Sequence, residues 1–413
     1  MEANQTKLMK IVYVSHYFSP EIGAPSARIH EMARAWIREG HQVEVITGFP
    51  NHPHGQVYPG YERQRYLQEE LDGIQVHRVW TYITPSQGLI RRTLGHISLW
   101  VSALLFAAKH IESPDLIIGT SPTLFSVMAA RRLALLRRVP LVMEVRDLWP
   151  GIFVDLGVIT NPLVIKMLEM WEMWMYRQAD KIVTVTEGFR ANIIKRGIDT
   201  AKIHTIPNGA DLSYFQPGGK PFSLARDLNL EGKFVVLYLG AHGISQGLDA
   251  VLDAAVQLSE LEEIVFLLVG DGSKKDELVY KARSEQIENV IFHPPISKEV
   301  VPAYYNLADI CLVPLRDVAL FSTFIPSKIF EIMAMGKAII ASLRGEAADI
   351  LRSSEGAVIV EPEDTPGIVK AIKSLKNDPQ RRVKLGQNGR KYVEVNYSRR
   401  SLAAKYLSIM DES

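Results

Sequence analysis

The 413-residue sequence carries one cysteine, Cys311. A single thiol makes no internal disulfide and no cysteine zinc cluster, so a disulfide-stapled scaffold is excluded and a reducing, cytoplasmic setting is expected. Long apolar runs are missing too. The longest nearly apolar stretch, Ile97 to Ala108, is interrupted by Ser98 and Ser102 and falls short of the ~20 residues that cross a bilayer. Met1 to Met9 lacks the apolar stretch of a secretion signal. Nor is there an excess of charge: 47 Lys and Arg stand against 46 Asp and Glu, so no global field draws the protein to nucleic acid, which is not expected as a partner. No Asp-x-Asp occurs, which removes the usual two-carboxylate seat for a divalent ion beside a nucleotide; metal-free chemistry is expected, with no cofactor. A Walker-type lysine loop is absent as well. His52-Pro53-His54 resembles a ligand pair but has no evident third ligand.

What is present is an ordinary globular composition, 47% hydrophobic and 23% charged, in a chain longer than one core usually grows. Short β-branched apolar runs alternate with helix-length amphipathic segments, as strands buried on both faces of a parallel sheet require. In the first half the runs are 10–18, 42–47, 74–79, 115–119, 139–145 and 181–186; in the second they are 233–240, 264–270, 289–293, 309–314, 337–341 and 357–360. The fold class is therefore α/β, as two Rossmann-like doubly wound domains facing each other across a cleft. Turn formers crowd into Ile206-Pro207-Asn208-Gly209-Ala210-Asp211 and Pro217-Gly218-Gly219-Lys220-Pro221, which predicts domains over 1–206 and 207–396. A helix over 397–413 can pack back on the first domain.

Four segments stand where chemistry is expected. Glu21-Ile22-Gly23-Ala24 lies between the first strand and the first helix, where glycine lets a ligand near the backbone and free amides meet an anion. Arg146, Asp147 and Trp149 follow a buried strand, and two charges there are expensive unless solvated, paired with each other or used. Gly240 to Gly247 repeats the strand, glycine loop and helix pattern, with His242 and Gln246 as neutral donors. Finally, Phe324 to Lys337 places Pro326 and Ser327 before a helix, with Lys328 and Glu331 on one face. A cation there with a carboxylate one turn on can hold a diphosphate and a ribose hydroxyl pair; the alternative is a plain helical ion pair.

Ser19-Pro20-Glu21-Ile22-Gly23-Ala24, Asp147-Leu148-Trp149-Pro150, Ile206-Pro207-Asn208-Gly209, the Gly240–Gly247 loop and Pro326-Ser327-Lys328 through Glu331 to Gly336 together resemble the retaining glycosyltransferases of family 4, of GT-B fold. The narrower resemblance is to the fucosamine transferase-like branch that builds bacterial surface polysaccharides. It implies that the second domain binds a nucleotide sugar, with Glu331 on the ribose, Lys328 and Ser327 near the phosphates, His242 and Gln246 in the glycine loop, and the base against Ile296. The first domain would hold the acceptor near Glu21, His16 and Trp149, with Gly23 and Ala24 passing close to the transferred sugar. The resemblance departs at three positions, since members commonly carry His at Arg146, Lys at Gln246 and Glu at Thr323. The catalytic assignment therefore moves to Asp147 with Arg146 beside it, and Lys328 becomes the main phosphate cation.

The resulting expectation is a retaining, metal-independent transferase moving an N-acetylated amino sugar from a UDP donor to a polyprenyl-diphosphate-linked saccharide. A nucleotide-sugar epimerase and a non-catalytic sugar-nucleotide binding protein remain open beside it. Thr160 to Arg177 reads as a helix with Lys166, Glu169 and Glu172 on one stripe and Met, Leu and Trp over most of the rest, which is first of all a core pattern. With Arg91-Arg92 before Leu94–Ala108 it can also seat the protein peripherally on an anionic membrane, at the cytoplasmic face of the inner membrane, where a lipid-linked acceptor is reached.

Overall fold

The computed structural model describes residues 8–21, 23–52, 55–62, 64–85, 88–155 and 157–411. Pro53 and His54 of the histidine pair, and Ile22 of the first loop, lie outside the described residues. The chain divides into two compact units, Met1–Pro207 with Arg400–Ser413, and Asn208–Arg399.

In the first unit eight strands form one sheet: β1 (Lys10–Val14), β2 (Gln42–Gly48), β3 (Tyr66–Leu71), β4 (Ile74–Val79), β5 (Leu116–Thr120), β6 (Leu141–Val145), β7 (Lys181–Thr184) and β8 (Ile203–Thr205). Their order is β3-β4-β2-β1-β5-β6-β7-β8, with only the β3–β4 pair antiparallel. Leu71 pairs with Ile74 around Asp72-Gly73, both at positive φ, a tight hairpin turn that glycine at the second position favours. One face of the sheet packs on the helix Ala24–Arg38, and its core includes Ile11, Tyr13, Trp36 and Val45. The terminal helix Arg399–Asp411 completes that core: Leu402, Ala403 and Tyr406 are buried in it, and the Trp36 indole donates to the Ala403 carbonyl at 3.0 Å.

The helix Pro162–Gln178 starts as its sequence dictates, with Pro162 in the first turn and the Asn161 side chain accepting from the amides of Leu163 and Val164. Its expected core role is corrected, because only Glu172, Met175 and Tyr176 are buried. Leu163, Met167 and Met170 are 78%, 57% and 57% exposed, and Trp174 is exposed as well. Glu172, placed on a solvent stripe by the sequence, instead turns inward, taking the Tyr176 hydroxyl at 2.6 Å and pairing with Arg196 at 2.6 Å. The helix is one layer removed from the sheet, packed on the helix Leu124–Arg137, so little of its apolar circumference has a partner.

The second unit has six parallel strands: β9 (Phe234–Leu239), β10 (Ile264–Val269), β11 (Val290–His293), β12 (Ile310–Pro314), β13 (Ile339–Ser342) and β14 (Ala357–Val360). The order β11-β10-β9-β12-β13-β14 reverses direction between β9 and β12. In the first unit the reversal falls between β1 and β5. Crevices beyond the carboxyl ends of strands at such reversals are where doubly wound sheets take ligands.

Candidate functional site

At the reversal of the second unit, β9 is followed by Gly240, whose φ of 148° is a conformation that side chains resist. Space there is as restrictive as geometry. A Cβ at Gly240 would lie 2.4 Å from Lys328 Nζ, and one at Gly270 would lie 1.9 Å from the Gly240 carbonyl oxygen. The two glycine loops are further stitched by His242 N donating to Asp271 O and Lys274 N donating to His242 O, each at 2.8 Å. Absence of side chains lets the amine of Lys328 lie against the backbone.

Lys328 opens a seven-residue helix, Lys328–Ala334, and Ser327 precedes it with no side-chain cap hydrogen bond. The helical ion pair with Glu331 does not form. Lys328 Nζ instead lies 4.0 Å from the centroid of the Tyr238 ring, a cation–π contact, and Glu331 Oε2 accepts from the Tyr305 hydroxyl at 3.0 Å. Burial lowers the lysine to about 8, against the opposing pull of Glu331, so at neutral pH it is mostly charged and unpaired among the described residues. Beside it, His242 is fully buried and both ring nitrogens lack a hydrogen-bond partner. Burial, then Lys275 and Lys328, hold its imidazole neutral with a pKa of about 4. A buried polar group left this way costs stability unless a ligand or water completes it. Gln246 spends its side-chain oxygen on the Gly243 amide at 3.1 Å. Ile296 is half-buried in the loop after β11, where His293 engages the Tyr304 hydroxyl at 3.1 Å.

At the reversal of the first unit, the segments following β2, β1, β5 and β6 lie side by side because the strands do. Gly23, at φ 149°, precedes Ala24 at the start of a helix that has no side-chain cap. Glu21 proves to be an anchor: Oε1 accepts from the amides of Asn51 and His52 at 2.8 and 3.0 Å, and Oε2 from Phe18 at 3.2 Å. Burial outweighs these bonds and raises its pKa to about 7. His16 packs edge-on against Tyr17 and His96, with Nδ1 unpartnered, and burial pushes its pKa well down. Arg146 is fixed by its amide donating to Ser121 Oγ at 3.0 Å, while Nε and Nη1 of its guanidinium are buried without partners. Asp147 is raised to about 6 by burial, Arg146 opposing. Trp149 stands edge-on to Trp171 at 5.8 Å.

Beneath this rim lies a buried pair absent from the sequence reading. Arg28 Nε donates to Glu144 Oε2 at 3.1 Å, Tyr13 donates to Glu144 Oε1 at 2.6 Å, and Arg28 reaches the carbonyls of Ile206 and Pro207. An arginine on the apolar side of an amphipathic helix, between Met32 and Ala35 around its circumference, was the available signal. Tyr238 and Tyr305 also escaped notice; each is the polar-tipped aromatic beside an otherwise aliphatic or helical core run. Among the described residues no three metal-ligating side chains come together, and no helix is long and apolar enough to cross a membrane.

Residues 23–209 match the family described as Glycosyl transferase 4-like domain, and residues 222–392 match Glycosyl transferases group 1. A protein of Escherichia coli (strain K12) described as a colanic acid biosynthesis glycosyl transferase, WcaI, is 29% identical over 88% of this chain and 91% of its own. A GDP-mannose-dependent alpha-mannosyltransferase of Mycobacterium tuberculosis is 24% identical over 72% of this chain and 71% of its own. Among solved structures, sucrose-phosphate synthase from Thermosynechococcus elongatus superposes with a TM-score of 0.76 at 19% identity, over 98% of both chains. Anabaena HepE in complex with UDP and glucose gives 0.73 at 17% identity, over 98% of this chain and all of that one. At such identities the likeness shows the fold, two Rossmann-like domains of GT-B type.

Proposed function

From the premise that the chain is a GT-B glycosyltransferase, a 4-like domain followed by a group 1 domain, we propose that it transfers a sugar from a nucleoside diphosphate donor, with retention, during polysaccharide synthesis. The reading rests above all on Lys328, an uncompensated cation held against Gly240 by the Tyr238 ring, next to the unpartnered His242. Departure of a nucleoside diphosphate builds negative charge, and a preorganised cation with nearby neutral donors stabilises it without needing a divalent ion. Glu331, oriented by Tyr305, suits a ribose hydroxyl pair; Ser327 offers a hydroxyl to the phosphates, and Ile296 an apolar edge to the base.

UDP is the proposed carrier and an N-acetylated amino sugar the proposed cargo. HepE, of the same fold, is described with UDP and glucose, whereas the mannosyltransferase relative is GDP-mannose-dependent, so the first measurement is calorimetric titration with UDP and GDP. Tight UDP binding by the parent and at least tenfold weaker binding by Lys328→Ala are expected; equal binding by the two proteins would end the phosphate assignment. The acceptor is proposed to be a polyprenyl-diphosphate-linked saccharide held by the first unit near His16, Arg146, Asp147 and Trp149. Colanic acid biosynthesis in the described role of WcaI favours this, and so does the exposed stripe of Leu163, Met167, Met170 and Trp174, which suits a peripheral position on a membrane. Isomerised donor in the absence of any acceptor would instead favour an epimerase.

A further inference from the structure

Arg146 stands directly after β6, in the rim of the first unit. Its guanidinium donates to no acceptor and joins no ion pair among the described residues, and two of its three nitrogens are shut away from solvent. The buried carboxylate of Glu144 attracts it but makes no bond to it. Glu144 gives one oxygen to Tyr13 and the other to Arg28, so two guanidinium charges share a single, fully engaged carboxylate. Asp147 attracts Arg146 without bonding to it, and burial favours the neutral form of that acid. Burial disfavours the charged guanidinium more than the field of Glu144 favours it, and Arg28 repels it, yet arginine does not give up its proton in proteins. A buried cation with no hydrogen-bonded counter-charge is a cost the fold carries unless something bound supplies the anion.

We propose that Arg146 seats an anionic oxygen group of the acceptor, so that the saccharide being extended is acidic at or beside the point of addition. The inference rests on the reading of the first unit as the acceptor side. A sugar carboxylate and the diphosphate of a lipid link share the required chemistry, planar or tetrahedral oxyanions that a guanidinium fork binds with charge-assisted hydrogen bonds. Backbone anchoring by Ser121 Oγ fixes where the side chain starts, so the seat is preorganised.

The test is calorimetric titration of the full chain with two matched pairs of probes. Methyl glucuronide against methyl glucoside reports a carboxylate; geranyl diphosphate against geraniol reports a diphosphate. The parent should bind one acidic probe at least tenfold tighter than its neutral twin, and which pair responds identifies the source. Arg146→Gln should erase the preference, whereas Arg146→Lys, which keeps the charge but loses the fork, should keep only part of it. No preference in the parent for either acidic probe, or an undiminished one in Arg146→Gln, overturns the proposal. Should Arg146→Gln not fold, as judged by its melting curve, Arg146→Met takes its place. UDP titrated into the same samples reports the donor side separately: failure of UDP to bind the parent would sink the nucleotide assignment while leaving the comparison of acidic and neutral probes to stand.

Discussion

Lys328 Nζ stands 4.0 Å over the Tyr238 ring, and the carboxylate of Glu331, one turn further along the helix, is committed to Tyr305 instead. The lysine therefore has no ion-pair partner among the described residues, and its burial costs the fold stability. With its pKa lowered from 10.5 to about 8, the unfolded chain binds a proton that the folded chain lacks between those values, so stability from this group rises with pH across that window and is lowest where the amine is charged. Lys328→Met should raise the melting temperature at pH 7 by ~2–4 °C, on the order of 1 kcal/mol after screening, while weakening UDP binding. Scanning calorimetry decides it; a lower melting temperature would refute the unpaired-cation account.

His242 predicts an acid-side effect. Its imidazole has a folded pKa of about 4 against an ordinary 6.5, so between pH 6.5 and 4 the unfolded chain takes up a proton that the folded one refuses, and stability falls as pH falls. Across pH 7 to 5 this is worth at most ~2 kcal/mol. His242→Gln should flatten that loss, seen as a smaller drop in urea midpoint between the two pH values. An unchanged drop would mean that the histidine is not the group responsible.

β8 apart, whose three residues Ile203–Thr205 include one apolar side chain, the parallel strands were legible because each is a short apolar run, and each matches an expected run to within one or two residues at its ends or lies inside it. β3 was not, because Tyr66–Leu71 carries Gln68, Glu69 and Glu70 on an edge where polar residues meet solvent; the Asp72-Gly73 turn was the clue that its charge concealed. Lys328 and Glu331 stood out by their spacing as a candidate pair. What each actually touches was not, since Tyr238 and Tyr305 come from other elements brought alongside by the sheet order. Helix 162–178 failed for a related reason. Composition reports how apolar a surface is, and only the layer in which the helix packs decides whether that surface is covered.

Arg28 and Glu144 predict a large, non-additive stability effect. Both are buried, and the pair ties the start of the first helix, the end of β6 and the carbonyls of Ile206 and Pro207 into one unit. Glu144→Gln leaves a buried guanidinium without its counter-charge and should cost ~3–5 kcal/mol. The double variant Arg28→Met with Glu144→Leu should cost less than the sum of the single changes, as urea unfolding can measure. Strict additivity would show that the two residues are not coupled.

Asp147 predicts the shape of a pH profile. Its carboxyl, raised to about 6 by burial, is protonated below that value, so turnover that uses the carboxylate should fall on an acid limb near pH 6. Asp147→Asn should remove the limb and lower turnover by ~10²–10⁴, with UDP affinity retained because the change lies in the first unit. Nucleoside diphosphate release provides the measurement. A limb that persists in Asp147→Asn belongs to another group, of which Glu21, raised to about 7, is the nearest in value.

The exposed stripe on helix Pro162–Gln178 predicts membrane binding with a definite chemistry. At ~100° per residue, Leu163, Met167, Met170 and Trp174 fall within roughly 60° of one another, and Lys166 and Arg177 are exposed on the same helix. Arg131 from the neighbouring helix lies over Trp174 at 4.8 Å. Apolar side chains entering the headgroup boundary and cations worth ~1 kcal/mol each at an anionic surface act together, so vesicles containing phosphatidylglycerol should sediment more protein than phosphatidylcholine alone, and less as salt rises. Met167→Glu with Met170→Glu removes the apolar part and adds repulsion, so the bound fraction should fall at least tenfold with the melting temperature unchanged, because neither methionine is buried. A second copy of the chain could cover the same stripe. In that case the double variant would change the sedimentation coefficient of the free protein and leave vesicle binding as it was, whereas a membrane face requires the opposite pair of results.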